Sequence, residues 1–279
     1  MDKYIKKSRV MAKIMSGRIV VNKNKSSKGQ VSEEANFWDS CFRGQYIGRN
    51  RFEGWLVSLH PEMPNAIDRL LTALGQIDGK HICDIGCGTG LLTWELANKG
   101  ARVSAIDIST EAVKMTRERS KEFGGRVDVQ QMDASHLLYN DETFHLVTGI
   151  WILHHLDTVK AAKEISRVLK PGGKAVFIEP LAHNPFSNIW RRLTPSFRTP
   201  DEWPLSYSEI SEMGRHFVSV NYQEYALLTL LSSFVYLITF SHKLTKRSAE
   251  LLARLEPPFL KVCKPLRRYS GQILIEFTK

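Results

Sequence analysis

The chain has 279 residues, 43% hydrophobic and 24% charged, an ordinary globular composition that suits one large α/β domain with additions, or at most two small domains. Four cysteines, at 41, 83, 87 and 263, form no C-x-x-C pair and no Cys/His group with zinc-ligand spacing. No metal is therefore expected, and buried free thiols in a reducing, cytoplasmic setting fit them best. The net charge of +10 is unevenly placed: residues 1–30 hold nine Lys and Arg against Asp2 alone. Lys3, Lys6, Lys7, Arg9 and Lys13 interrupt every apolar run there, so no signal-peptide core forms. The stretch reads as a solvated basic tail, with an anionic membrane or a nucleic acid as the alternative partners.

After the tail, helices are expected over 33–42 and 64–74. From residue 80 to 179 short apolar runs alternate with helical patterns. Strands are expected over 81–84, 102–107, 127–132, 144–150 and 174–178. Helices fall between them over 89–98, 109–123 with Ser109 as N-cap, and 159–169. Pro171-Gly172-Gly173 is expected to turn the chain into the fifth strand. Strands separated by helices of this length imply right-handed crossovers and a parallel sheet covered on both faces. Beyond residue 180 the pattern gives an irregular Pro-rich stretch to 204 and a short helix from about Tyr207. A strand over 216–225, the apolar run 226–240, a mixed basic segment to Arg268 and a final strand over 271–277 follow.

The sharpest local signal is Asp84-Ile85-Gly86-Cys87-Gly88-Thr89-Gly90, a strand end followed by three glycines at alternate positions and then a helix. Glycines let the backbone turn tightly and approach a ligand closely, and the helix start offers free N–H groups to an anion. A dinucleotide loop would need a glycine where Leu91 stands, and a phosphate-binding P-loop would need Lys-Ser/Thr where Leu91-Leu92 stand. Asp107 ends the second strand, where an acid can accept both hydroxyls of a ribose. Asp133 ends the third, in Met132-Asp133-Ala134. Ile150-Trp151-Ile152-Leu153-His154-His155-Leu156 follows the fourth, and Leu169-Lys170-Pro171-Gly172-Gly173 precedes the fifth.

In this order and spacing the set resembles the class I S-adenosylmethionine-dependent methyltransferases, over residues 46–180 well and over the last two strands weakly. The resemblance implies a Rossmann-like α/β fold with a seven-stranded sheet whose final strand runs antiparallel between its neighbours. N-terminal helices and a helical insertion before the last strand complete it. It implies one domain over 31–279, with its core at 76–180 and acceptor-side and lid insertions at 181–215 and 226–268. It implies S-adenosylmethionine as cofactor, held by Asp84, Gly86, Cys87, Gly88, Gly90, Asp107, Ile108, Asp133, Ala134 and Ile150. His145 stands where the family usually has an acid, a departure on the surface side.

Methyl transfer from a sulfonium is an in-line displacement, and a base is needed only when the acceptor must lose a proton. His155, just past the fourth strand, is the expected base, with Glu179 the second place to look; the alternative is that His154 and His155 only pack or cap the next helix. Arg191, Arg192 and Arg198 could clamp an acidic acceptor or pair with Asp201 and Glu202. The run 226–240 is short of the ~20 residues that span a bilayer. Core packing or a lid ranks first for it, and peripheral membrane contact through 226–247 second. The expected function is methyl transfer to a small or lipid-like acceptor, oxygen favoured. An RNA methyltransferase and a non-catalytic S-adenosylmethionine-binding subunit are the alternatives.

Overall fold

The computed structural model describes residues 27–43, 63–193, 202–239 and 241–279. Helices α1 (Ser27–Phe42) and α2 (Met63–Leu74) come first. The series β1 (His81–Ile85), α3 (Leu91–Asn98), β2 (Arg102–Asp107), α4 (Thr110–Arg119), β3 (Val127–Gln131), β4 (Phe144–Ile150), α5 (Thr158–Val168) and β5 (Leu169–Pro180) follows. The remainder is α6 (Pro185–Leu193), α7 (Tyr207–Gly214), β6 (Ser219–Tyr225), α8 (Leu231–Thr239), α9 (His242–Val262) and β7 (Gln272–Thr278). The chain divides into two units, Met1–Glu33 and Glu34–Lys279, and the sheet lies in the second. Most of the basic stretch falls outside the described residues, and α1 begins at Ser27, inside its last few positions.

The strands form one sheet in the order β3-β2-β1-β4-β5-β7-β6. The first five pair in parallel, and β7 runs antiparallel to both β5 and β6. Because helices cover both faces, the central strands are apolar on both sides. On one face Ile82, Val103, Ala105, Val176 and Ile178 meet Leu70 of α2 and Leu96 of α3. On the other, Cys83, Ile85, Val147, Phe177 and Ile275 meet Ala161 and Ile165 of α5 and Met213 of α7. Ser109 caps α4 as expected, accepting from Ala112 N, and Asp157, not singled out from the sequence, caps α5 by accepting from Lys160 N.

Several expectations are redrawn. β5 starts at Leu169 instead of 174, and Pro171-Gly172-Gly173 forms a register shift within the strand, opposite Phe144–Leu146, in which Gly172 takes φ +73°. His145 is no mere surface departure: its Nδ1 accepts from His81 N at 3.0 Å, and its Nε2 lies 3.0 Å from Lys170 Nζ. The helix expected to 123 ends at Arg119 and continues as a 3₁₀ stretch, Lys121–Arg126, where Gly124 breaks the helical geometry.

The 226–240 run is only partly core: Ala226, Thr229 and Ser232 are buried. Its helical part, α8, turns Leu231, Phe234 and Ile238 outward, and α9 exposes Leu244, Leu251, Leu255 and Val262, spaced to share one stripe. Among the described residues no helix is long and apolar enough to cross a membrane.

This α8–α9 pair is tied to the sheet by one buried carboxylate. Glu256 of α9 accepts from Ala226 N at 2.6 Å, Leu228 N at 2.8 Å and Thr229 N at 3.3 Å, which fixes the loop leaving β6 with Ala226 at φ +61°. Removing the acceptor leaves three N–H groups without a partner, each loss worth roughly 1 kcal/mol or more. Glu256→Ala should therefore lower the melting temperature by several degrees in calorimetry, and Glu256→Gln, which keeps one acceptor oxygen, by less. A Glu256→Ala melt equal to the parent's would refute the anchor.

Candidate active site

The glycine loop sits at the C-terminal end of β1, the edge of an open parallel sheet where crevices form. Gly86 N and Cys87 N both donate to Ile106 O, at 2.8 and 3.0 Å, which pins the loop to the end of β2. Gly86 takes φ +71°, and a Cβ there would fall 2.7 Å from the Ile152 side chain. Gly90, at φ +78°, is the N-cap of α3 and would crowd Thr116 at 3.0 Å. Both positions therefore need glycine on two counts, conformation and space. Thr116 Oγ1 donates to Gly88 O at 3.0 Å, so α4 also holds the loop. Phe42 of α1 lies against Gly88 from outside.

Three aspartates end neighbouring strands, and their environments differ. Asp107 accepts from Gly88 N on one oxygen and Ser109 N on the other, both at 2.9 Å. Burial raises its pKa, and those two N–H groups oppose the rise. Asp133 is half-buried and accepts from Ser135 N at 2.8 Å. Met132 N, donating to Asp107 O at 3.0 Å, keeps it beside the end of β2. Asp84 lies beneath the loop, fully buried, accepting from Thr93 Oγ1 at 2.5 Å; burial pushes its pKa up to about 7. Asp84 thus ties β1 to α3, the two elements that flank the loop. Ile108 O accepts from Gln131 Nε2 at 2.9 Å, Ala134 is buried beside Asp133, and Ile150 is half-buried at the end of β4. The Cys87 thiol is buried, which drives its pKa well up and keeps it protonated.

The chain after β4 builds the other half of the site. Trp151 takes φ +56°, and a 3₁₀ turn, Leu153–His155, follows. Glu179, at the end of β5 and fully buried, accepts from Ile152 N at 2.9 Å and Leu153 N at 2.7 Å. Its second oxygen lies 2.6 Å from His154 Nδ1. Burial pushes the Glu179 carboxyl up to about 7. It also holds the His154 imidazole well below its usual pKa. The two imidazole rings stand 4.1 Å apart.

His155 Nδ1 lies 2.8 Å from Glu34 Oε1 of α1, close enough for an ion pair, yet neither atom has an aligned hydrogen-bond partner. Burial lowers the His155 pKa, but the carboxylates of Glu34, Glu202 and Glu179 outweigh it and the net shift is upward. Glu202 Oε1 lies 3.9 Å from His154 Nε2 and 3.3 Å from Arg191.

Residues 83–177 match the family model described as a methyltransferase domain. Over these residues the chain resembles a methyltransferase domain. Its C-terminal strand order, with β7 antiparallel between β5 and β6, is the one the sequence resemblance implied. The domain is 34% identical over 140 residues to a ubiquinone biosynthesis O-methyltransferase of Alkalilimnicola ehrlichii, covering 50% of this chain and 56% of that protein. It is 34% identical over 135 residues to the Aeromonas salmonicida protein of the same name, covering 48% and 56%. The chain thus matches just over half the length of these curated relatives. In fold it is similar to phosphoethanolamine N-methyltransferase 2 of Haemonchus contortus, with TM-score 0.60, 20% identity and coverage of 87% and 60%. It is also similar to geranyl diphosphate C-methyltransferase of Streptomyces coelicolor, with TM-score 0.61, 16% identity and coverage of 89% and 97%.

All the residues read from the sequence as cofactor-binding lie along one edge of the methyltransferase sheet. Glu34 escaped that reading, and Glu202 entered it only as a pairing partner of the arginines, not of the histidine pair. Both lie outside the matched stretch, and neither carries a local signal, since a lone Glu on a helix or in a loop looks like any solvated residue. Arg191 takes the pairing role with Glu202. Arg198 and Asp201 lie outside the described residues, as does the side chain of Arg192.

The buried Asp84 gives the methyltransferase domain a pH signature. Its carboxyl moves from 3.8 to about 7 on folding. The raised value means that its favourable contribution is complete below pH ~4 and is lost as pH rises to about 7. In cofactor-free protein, the melting temperature of Asp84→Asn relative to the parent should rise steadily between those limits and level off above them. A difference constant with pH would contradict the assignment.

Proposed function

We propose that the protein transfers the methyl group of S-adenosylmethionine to a hydroxyl oxygen of a small, lipid-like acceptor. The observation that carries the reading is the union of the glycine loop with Asp107. Each carboxylate oxygen is fixed by one backbone N–H and keeps a lone pair for a ribose hydroxyl. Gly86, Gly88 and Gly90 leave the backbone bare for the methionine part, with Cys87 and Ile108 beside it. Asp133 and Ala134 receive the adenine, and Asp84 supports the loop. Ile150 and the turn after it bound the methyl end. When bound, the cofactor supplies an electrophilic methyl group on a sulfonium. The chain has to hold the acceptor in line with it, exclude water and take a proton.

His155 was the expected base; the hydrogen-bond geometry favours His154. Its Nδ1 is committed to Glu179 at 2.6 Å, which fixes the tautomer and leaves the Nε2 lone pair for the acceptor's proton, the logic of a carboxylate-oriented imidazole. His155, beside Glu34, lines the same wall. The partial similarity to ubiquinone biosynthesis O-methyltransferases supports oxygen as the accepting atom and an apolar acceptor. The exposed apolar residues Leu231, Phe234 and Ile238 of α8 and Leu244 and Leu251 of α9, with Lys243, Lys246 and Arg247 beside them in the chain, support peripheral contact with an anionic lipid surface, where such an acceptor would be met.

Two measurements test the reading. Titration calorimetry should detect S-adenosylmethionine binding, weakened by roughly 1–3 kcal/mol in Asp107→Ala as two charge-assisted hydrogen bonds are lost. Equal affinity in a folded variant would remove Asp107 from the site. With a hydroxyl-bearing acceptor carrying an apolar tail, His154→Ala should lower turnover by about a hundredfold while cofactor affinity stays within twofold. A full rate in that variant would return the base role to His155 or to the acceptor itself.

A further inference from the structure

The wall opposite the glycine loop gathers more ligand-type groups than proton transfer requires. One donor atom from each of His154, His155 and Glu202 lies within 4.8 Å of the others. His154 presents Nε2 because its Nδ1 is held by the buried Glu179 at 2.6 Å. A carboxylate on the far nitrogen is the usual support of a metal-binding imidazole. His155 Nδ1 and Glu34 Oε1 are both buried, 2.8 Å apart and without an aligned hydrogen bond, a spacing that suits neighbouring ligands on one ion. The charge around the cluster points the same way: the carboxylates of Glu34, Glu179 and Glu202 face the imidazoles, and the nearby guanidinium is that of Arg191. Arg191 leans on Glu202 Oε1 at 3.3 Å.

We propose that His154, His155 and Glu202, with Glu34 beside them, form a binding site for a divalent transition-metal ion of the zinc type. Two imidazoles and a carboxylate suit zinc or cobalt, whereas magnesium and calcium prefer an all-oxygen shell. The ion binds His154 through the lone pair assigned above to the acceptor's proton. Metal binding and methyl transfer are therefore mutually exclusive, and zinc-type ions suppress turnover. This second half rests on the methyl-transfer reading; the binding itself does not.

The four groups come from three chain segments that only the fold brings together. His154 and His155 follow β4, Glu34 lies on α1, and Glu202 precedes α7. The Glu residues lie outside the matched residues 83–177, so the site is an addition built around the domain rather than part of its common core.

The test uses the full chain, stripped with a chelator and titrated with cobalt as a spectroscopic stand-in for zinc. The expected result is one equivalent bound, with the visible absorption of a four- or five-coordinate ion. The band should be lost in His155→Ala and weakened at least tenfold in Glu202→Gln, with both variants' folds checked by circular dichroism and their S-adenosylmethionine affinity unchanged. Magnesium should not compete. Absence of the band, or a band indifferent to both substitutions, overturns the site. Under turnover, one equivalent of zinc should abolish methyl transfer in the parent and a chelator should restore it; stimulation by zinc would overturn the exclusion while leaving the site. A protein that binds cobalt as expected but transfers no methyl group to any acceptor would refute the proposed function and not the metal site.

Discussion

Glu179 lies fully buried at the end of β5, and every donor it meets comes from a single turn of the neighbouring strand: Ile152 N, Leu153 N and His154 Nδ1. Taking a carboxylate out of water is costly unless such donors surround it. Here they also decide the shape of the wall. The turn leaves β4 through Trp151, a bulky residue in the left-handed region, a conformation that costs on the order of 1–2 kcal/mol. Trp151 N donates to Ile178 O, and its indole donates to Gln272 Oε1, so β5 and β7 hold the strained residue from both sides. Without Glu179 the turn would lose the acceptor for two N–H groups, and His154 would lose its fixed tautomer. The loop on the facing wall depends in turn on Ile152, whose side chain meets the open face of Gly86.

The helix α1 binds this arrangement from outside the matched stretch. Asp39 accepts from Ser109 Oγ at 2.6 Å and from Glu111 N at 3.1 Å, placing its negative charge at the N-terminus of α4, where a helix dipole favours it. That anchor orients the same helix so that Trp38 meets the edge of the His155 ring and Glu34 reaches its nitrogen. The wall opposite the glycine loop therefore combines His154 and His155, inside the family match, with Glu34 and Glu202 from segments outside it. The half formed by the glycine loop and Asp107 lies within it. This division fits a fold in which chemistry is shared and acceptor choice varies.

The fold was largely legible in the chain because period and punctuation agree there. β2 and β4 fall at the residues expected, and Ser109 caps α4 as its side chain suggests. Legibility fails where a carboxylate or a neighbouring strand overrides local chemistry. Lys170–Gly173 reads as a turn but is drawn into β5 by pairing with β4 and by Gly173, whose bare Cα faces Lys170 O and His145 O. The segment after residue 240 reads as mixed and basic in its own pattern, and only the family resemblance implies a helical insertion there. It is nevertheless a helix of 21 residues that tolerates Pro257 and Pro258 and is held in place by Glu256. In the site, the glycines and strand-end aspartates announce themselves because backbone geometry demands them. Glu34 and Glu202 are silent because their role exists only after the chain has folded, and the choice between adjacent histidines turns on which one Glu179 reaches.

The strand order carries a consequence for how the chain reaches this state. β6 is synthesised before α8, α9 and β7, yet within the sheet its hydrogen bonds run to β7 alone, and β7 in turn supplies the edge of β5. A chain emerging from the ribosome can therefore assemble β1 to β5 early, while β6 has no partner to zip against. During that interval β5 shows an unpaired edge, the kind of surface that invites pairing with a second chain. The α8–α9 pair occupies the interval, and its Glu256 already gathers the backbone just beyond β6. Sheet closure then waits on a slot left open between two strands, filled by a segment made after both.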